Sequence, residues 1–184
     1  MKKKVMQYDK KILLRLYLLF IPIAYFSYLF HEFGHWIIGK ALGNEMMYSL
    51  NYVFPKEGHY LDESHNLYVS FGGPLFTILL SIFSLLLIEI FTSIYVYPVL
   101  FFQFTMRFFS LVFGGFAEQD ESRISSILGL GPYTIGIIVI IILLLIVLRA
   151  SYKLEIDLKH NGYFFSISIL CLLMVIATYK ITCF

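Results

Sequence analysis

Five long, predominantly apolar stretches constrain this chain more than any other feature of its sequence; they fall at about 12–39, 67–91, 94–113, 132–148 and 163–179. Crossing about 30 Å of hydrocarbon takes roughly 20 mainly apolar residues in a helix, because backbone N–H and C=O groups cannot be left open to lipid. The expected fold is therefore an all-α integral membrane protein with about five transmembrane helices, carrying a polar loop or hairpin between the first and second. Of the 184 residues 59% are hydrophobic and 14% charged, against roughly 25% charged in soluble domains. This points to the lipid bilayer as solvent and to one membrane-embedded domain over 1–184.

The polar connections carry the remaining titratable groups. Residues 43–66 hold Glu45, Lys56, Glu57, His59, Asp62, Glu63 and His65 together with Pro55 and Gly58, which reads as a loop or short hairpin. Residues 114–131 hold Glu118, Gln119, Asp120, Glu121 and Arg123. Residues 149–161 alternate basic and acidic groups and read as a solvated turn. The net charge of +2 and the lack of a basic stretch interleaved with aromatics set nucleic acid aside as a partner. Cys171 and Cys183 lie in or beside the last apolar stretch, so neither a disulfide framework nor a cysteine-rich metal site is expected. The basic start followed by an apolar run has the outline of a signal peptide but no small-residue cleavage site, so the first stretch reads as a retained helix. Lys2, Lys3, Lys4, Lys10, Lys11 and Arg15 place the N-terminus in the cytoplasm, with Arg149, Lys153 and Lys159 on the same side.

The chemistry is concentrated in His31-Glu32-Phe33-Gly34-His35, inside the first apolar stretch. Residues four apart share a helix face, so His31 and His35 can aim two imidazoles at one metal ion with Glu32 beside them. Zn2+ accepts such nitrogen donors, and a catalytic site leaves one position open to water. A carboxylate next to that water can take its proton as it attacks a carbonyl carbon, the role expected of Glu32. Gly34, with no side chain, permits close approach by another helix or by an extended substrate. Three ionisable groups within an apolar helix are costly, and such groups usually line a cavity or pair with one another. A third ligand is needed, and His59, His65, Asp62, Glu63, Glu118, Asp120 and Glu121 all qualify by residue type.

Three pieces in this order resemble the site-2 protease family of intramembrane zinc metalloproteases: His31-Glu32-Phe33-Gly34-His35 in a membrane helix, Gly72-Gly73-Pro74 heading another apolar helix, and Asp120 within Gln119-Asp120-Glu121-Ser122-Arg123. Together they cover about 12–130, and the first is the most specific. The resemblance implies His31, His35 and Asp120 as zinc ligands, Glu32 as general base, and a membrane protein or membrane-associated peptide as substrate. Two positions depart from the family pattern: Thr77 stands where the family has a substrate-positioning Asn, and Glu121 where it has a Gly after the ligand Asp. Thr77 is then a candidate for substrate positioning, and Glu118 and Glu121 are rivals of Asp120. The family also presents its site nearer the cytosol, opposite to what the basic N-terminus implies here.

The competing function class is a non-proteolytic membrane protein, a pseudo-enzyme, transporter or scaffold that uses the same polar residues for metal or proton handling. Arg107, inside the third stretch, reads as a snorkelling side chain, with pairing to a carboxylate such as Glu89 or to a substrate carbonyl as the functional alternative. His59 and His65 flank Asp62 and Glu63 in what reads as a solvated loop that covers or gates the site.

Overall fold

A computed structural model describes residues 10–113 and 119–182. Lys2, Lys3, Lys4, Glu118 and Cys183, which entered the reading above, lie outside them. The described residues form α1 (Lys10–Ala41), a hairpin of β1 (Met46–Tyr48) and β2 (Val53–Pro55), α2 (Ser64–Phe91), a 3-10 turn (Ile94–Val96), α3 (Tyr97–Phe113), α4 (Asp120–Ile127), α5 (Thr134–Lys153) and α6 (Leu158–Thr182). Five of the helices are long and apolar enough to cross a membrane, as expected: Leu13–Ala41, Ser64–Phe91, Ile94–Phe113, Thr134–Lys153 and Leu158–Thr182. The loop expected at 43–66 contains the antiparallel hairpin, in which Met46, Met47 and Tyr48 face Pro55, Phe54 and Val53.

A single stripe on α1 explains how core and site are joined. Leu16, Phe20, Ala24 and Tyr28 recur every four residues and are buried, and the same face continues as His31, His35 and Gly39. The apolar half packs against Tyr97, Phe101 and Phe102 of α3, Val147 of α5 and Phe164 and Leu172 of α6. The polar half meets α2 and α4.

Apolar residues face outward as well as inward, with Leu18, Phe26, Leu79, Phe83, Leu145 and Leu148 exposed on the helix surfaces. In lipid, apolar burial gives helices little reason to associate, so small residues and interhelical hydrogen bonds take over. The buried residues of α2 accordingly include Ser70, Gly72, Gly73, Thr77, Ser81 and Ser84, beside Val69, Pro74 and Ile88. Gln103 of α3 donates to Ser27 of α1 at 2.7 Å. At the opposite end from the site, Tyr97 donates to Asn161 Oδ1 (2.6 Å), Asn161 Nδ2 donates to Ser151 Oγ (3.2 Å), and Ser151 lies 2.6 Å from the Tyr97 oxygen. This ring of three polar groups ties α3, α5 and α6 together.

The helices that frame the site stop abruptly. After α1, Gly43 takes φ +85°, its N–H bonds the Lys40 carbonyl, and the Asn44 N–H bonds that of Gly39. This paired 5→2 and 6→1 arrangement satisfies the last carbonyls of a helix and favours glycine at the left-handed position. Gly129 does the same for α4, with φ +68° and bonds from Gly129 to Ser126 and from Leu130 to Ser125. Ser125 Oγ also accepts the Ile135 N–H at 3.1 Å, fastening α4 to the head of α5.

Candidate metal centre

α1 and α2 approach closely where glycine meets glycine. A Cβ on Gly34 would collide with the carbonyl of Gly72, and one on Gly72 with the carbonyl of Gly34. Gly34 therefore admits a neighbouring helix, one of the two roles expected of it. One residue further along α2, a Cβ on Gly73 would occupy the space of the His31 and His35 imidazole nitrogens. Gly72 and Gly73 thus have separate duties, one in helix approach and one in making room for the two rings. Pro74, inside α2, has no N–H, so the Ser70 carbonyl loses its helical donor at the wall of the site.

His31, His35 and Asp120 converge. His31 Nε2 lies 3.1 Å from Asp120 Oδ2, His35 Nε2 lies 3.3 Å from the same oxygen, and the two Nε2 atoms are 3.3 Å apart. These residues form a group that could hold a metal ion. Asp120 comes from the first turn of α4, a helix not recognised in advance, which meets the His31 and His35 rings of α1. Among the acids considered for this place, Glu121 turns away to Arg107, and Asp62 caps Ser64 at 2.6–2.8 Å. Glu63 is exposed at the head of α2, His59 is exposed, and His65 bonds Asn44 at 3.1 Å.

The outer nitrogens of both rings are tied down. His35 Nδ1 is 2.6 Å from the Val69 carbonyl, which only accepts, so Nδ1 carries the hydrogen and Nε2 presents its lone pair inward. The Gly73 N–H approaches the same nitrogen at a longer 3.3 Å. His31 Nδ1 lies 2.9 Å from Thr77 Oγ1. Thr77 is fully buried behind His31 on α2. Its hydroxyl therefore reaches the ring of a candidate ligand. Such a partner fixes ring orientation.

Electrostatics favour a cation between these groups. Asp120 is largely buried, with the Nε2 atoms of both imidazoles against its Oδ2. Glu32 and Glu121 are buried as well, and the buried Arg107 guanidinium lies against Glu121 and Asp120. Arg123 adds a partly exposed charge, bonding Asp120 Oδ1 at 3.0 Å. A buried charge without a partner is strongly unfavourable, and two lone pairs aimed at a carboxylate oxygen invite a positive ion.

Arg107 does not snorkel. It is 6% exposed, its Nε donates to Glu121 Oε1 at 2.8 Å, and its Nη2 donates to Glu121 Oε2. Glu89, the partner considered for it, instead pairs with Arg149 at 2.7 Å. The buried partner makes snorkelling unnecessary. The signal for it was an unpaired arginine in an apolar stretch followed, 13 and 14 residues on, by two adjacent acids.

The triad and Glu32 open into a cavity of about 650 Å3 whose far wall includes Asn51, Tyr52 and Val53 of the hairpin and Tyr60. The hairpin is held on α1 by Met46 against Gly39 and by the Tyr48 hydroxyl, which donates to the Leu29 carbonyl. No protein-family model, no curated protein and no solved structure matches the chain.

Proposed function

We propose that the chain is a zinc-dependent endopeptidase that hydrolyses a peptide bond of a membrane-associated substrate within or beside the bilayer, as its resemblance to the site-2 proteases implies. The observation that carries this reading is the triangle of His31 Nε2, His35 Nε2 and Asp120 Oδ2, with edges of 3.1, 3.3 and 3.3 Å, beside Glu32 in a cavity. Zinc bonds of about 2.0–2.1 Å in tetrahedral geometry separate neighbouring donors by about 3.3 Å, and a catalytic site uses three protein ligands. The triangle thus has the dimensions of one face of such a site. When bound, zinc would acidify a water and polarise a carbonyl.

His31, His35 and Asp120 supply the donor atoms, and Thr77 and the Val69 carbonyl keep the two rings aimed. Glu32 takes a proton from water as the oxygen adds to the scissile carbonyl carbon, then returns it to the amine nitrogen as the C–N bond breaks. A cavity of this volume, within the range of ordinary ligand sites, suits a short extended segment rather than an intact helix. Substrate must therefore unwind locally, and the hairpin wall offers backbone groups with which an extended strand can pair.

The test is metal analysis and cleavage of a single-span peptide by protein purified in detergent without chelators. Wild type should hold one zinc per chain and cleave. Glu32→Gln should keep zinc and lose cleavage by at least about 100-fold, while His31→Ala and Asp120→Ala should lose zinc. Retention of zinc by Asp120→Ala would remove that ligand. A wild-type protein that holds zinc but cleaves no membrane peptide would instead support the non-proteolytic reading.

A further inference from the structure

The guanidinium of Arg107 is aimed at the ligand triangle by the way Glu121 holds it. Arginine has five N–H donors in a rigid plane. One on Nε and one on Nη2 are taken by the two oxygens of Glu121, whose side chain is as buried as that of Arg107. The plane fixed in this way points the remaining donors back toward α1. Nη1 comes to 3.3 Å from His31 Nε2, and Nη2 to 3.7 Å from Asp120 Oδ2. Arg107 also lines the same cavity as His31, Glu32 and Asp120.

We infer that Arg107 is a further catalytic residue, donating to the carbonyl oxygen of the scissile bond as that oxygen becomes an anion, and that Glu121 is its positioning residue. The inference rests on the peptidase reading above. As water adds to the carbonyl carbon, the π electron pair of the C=O bond moves onto the carbonyl oxygen, and the water's proton goes to Glu32. A donor already held in a buried site stabilises that new charge without reorganising. Two alternatives are weaker. If Arg107 served only to neutralise Glu121, the pair would contribute little that two apolar residues could not. If it served only to bind substrate ends, it would not need to stand beside the edge between His31 and Asp120. Glu121, the departure from the family pattern after the ligand acid, thereby acquires a purpose.

The experiment compares Arg107→Gln, Arg107→Lys and the double variant Arg107→Gln/Glu121→Gln with wild type. The double variant removes both members of the buried pair and so strands neither partner's charge, which keeps it informative should the single variant fail to fold. Three quantities are read: zinc per chain, kcat and KM for a single-span peptide, and calorimetric binding of a phosphinic peptide, whose tetrahedral anion mimics the adduct. The inference expects zinc near one per chain and KM within about threefold, with kcat down by about 100- to 1000-fold. Phosphinate affinity should fall in parallel, because only the tetrahedral state meets the donor, and Arg107→Lys should recover at least about tenfold of both. A folded, zinc-loaded double variant that cleaves and binds phosphinate like wild type would overturn the inference while leaving the peptidase reading intact. A wild-type protein without zinc or without cleavage would overturn both.

Discussion

At the scale of single residues, the centre depends on an atom group that is missing by design of the sequence. Gly73 has no Cβ because His31 and His35 fill that space, and the two rings are themselves pinned from behind by Thr77 and Val69. Gly73→Ala must therefore displace at least one imidazole or push α2 away from α1. Overpacking of this kind costs about 1–3 kcal/mol, but the effect on geometry is the more telling one. Metal affinity should fall by at least about tenfold, as it does when ligand orientation is lost. Titration with zinc in detergent, read beside thermal unfolding, checks this; a variant that binds zinc as tightly as wild type would show that the rings are not confined by Gly73. The common face of His31 and His35, with Glu32 beside them, was legible in the sequence because a spacing of four is a local property of a helix. Asp120 could be matched only by resemblance, and Glu121 stayed a rival, because nothing local says which of two adjacent acids turns inward. The pairing of Arg107 was not legible for the same reason: its partner Glu121 belongs to a different helix, and nothing local to α3 identifies it.

At the scale of elements, the molecule divides into a polar end that holds the centre and an opposite end closed by the Tyr97, Ser151 and Asn161 ring. Tyr97 is fully buried, and Tyr97→Phe would remove both the donor to Asn161 and the oxygen facing Ser151. Leaving buried polar groups without partners costs about 1–3 kcal/mol, so this variant should unfold at lower temperature. Arg107 stands about 15 Å of helical rise further along α3, so zinc per chain should not change. Loss of metal in Tyr97→Phe would mean that the two ends do not respond independently. All five long helices were legible, because lipid demands long apolar runs whatever the tertiary fold. The short α4 was not. Its sequence, Asp120 to Ile127, is mostly polar, yet it buries Glu121, Ser122, Ile124 and Ser125. It exists as a helix because its Schellman stop at Gly129 and its contacts with α2 and α5 support it, and an eight-residue helix is marginal without such contacts.

At the scale of the whole molecule, helix direction fixes which face of the bundle carries the centre. His31 lies about 24 Å of rise beyond Arg15 and His35 about 9 Å before Ala41, so the site belongs to the face where α1 ends. The hairpin and α4 lie on that face, together with Lys40, Lys56, Arg123 and Lys180. The opposite face has Arg15 near the start of α1, Arg149 and Lys153 at the end of α5 beside Glu89, and Lys159 at the start of α6. Lys10 and Lys11 belong to the same end of α1, and Lys2, Lys3 and Lys4 precede it in sequence. Cytoplasmic ends carry the excess of lysine and arginine, and acids count for little in that bias. The charge pattern therefore expects the centre to open away from the cytoplasm, the reverse of what the resemblance to site-2 proteases implies. Glu57 at the hairpin and Leu158 at the head of α6 are both well exposed and lie on opposite faces, so single cysteines there report the orientation directly. In a background with Cys171→Ser and Cys183→Ser, an impermeant maleimide added to intact cells should label Glu57→Cys at once and Leu158→Cys only after permeabilisation. The reverse pattern would give precedence to the resemblance over the charges, and would make the substrate one that is offered from the cytosolic side.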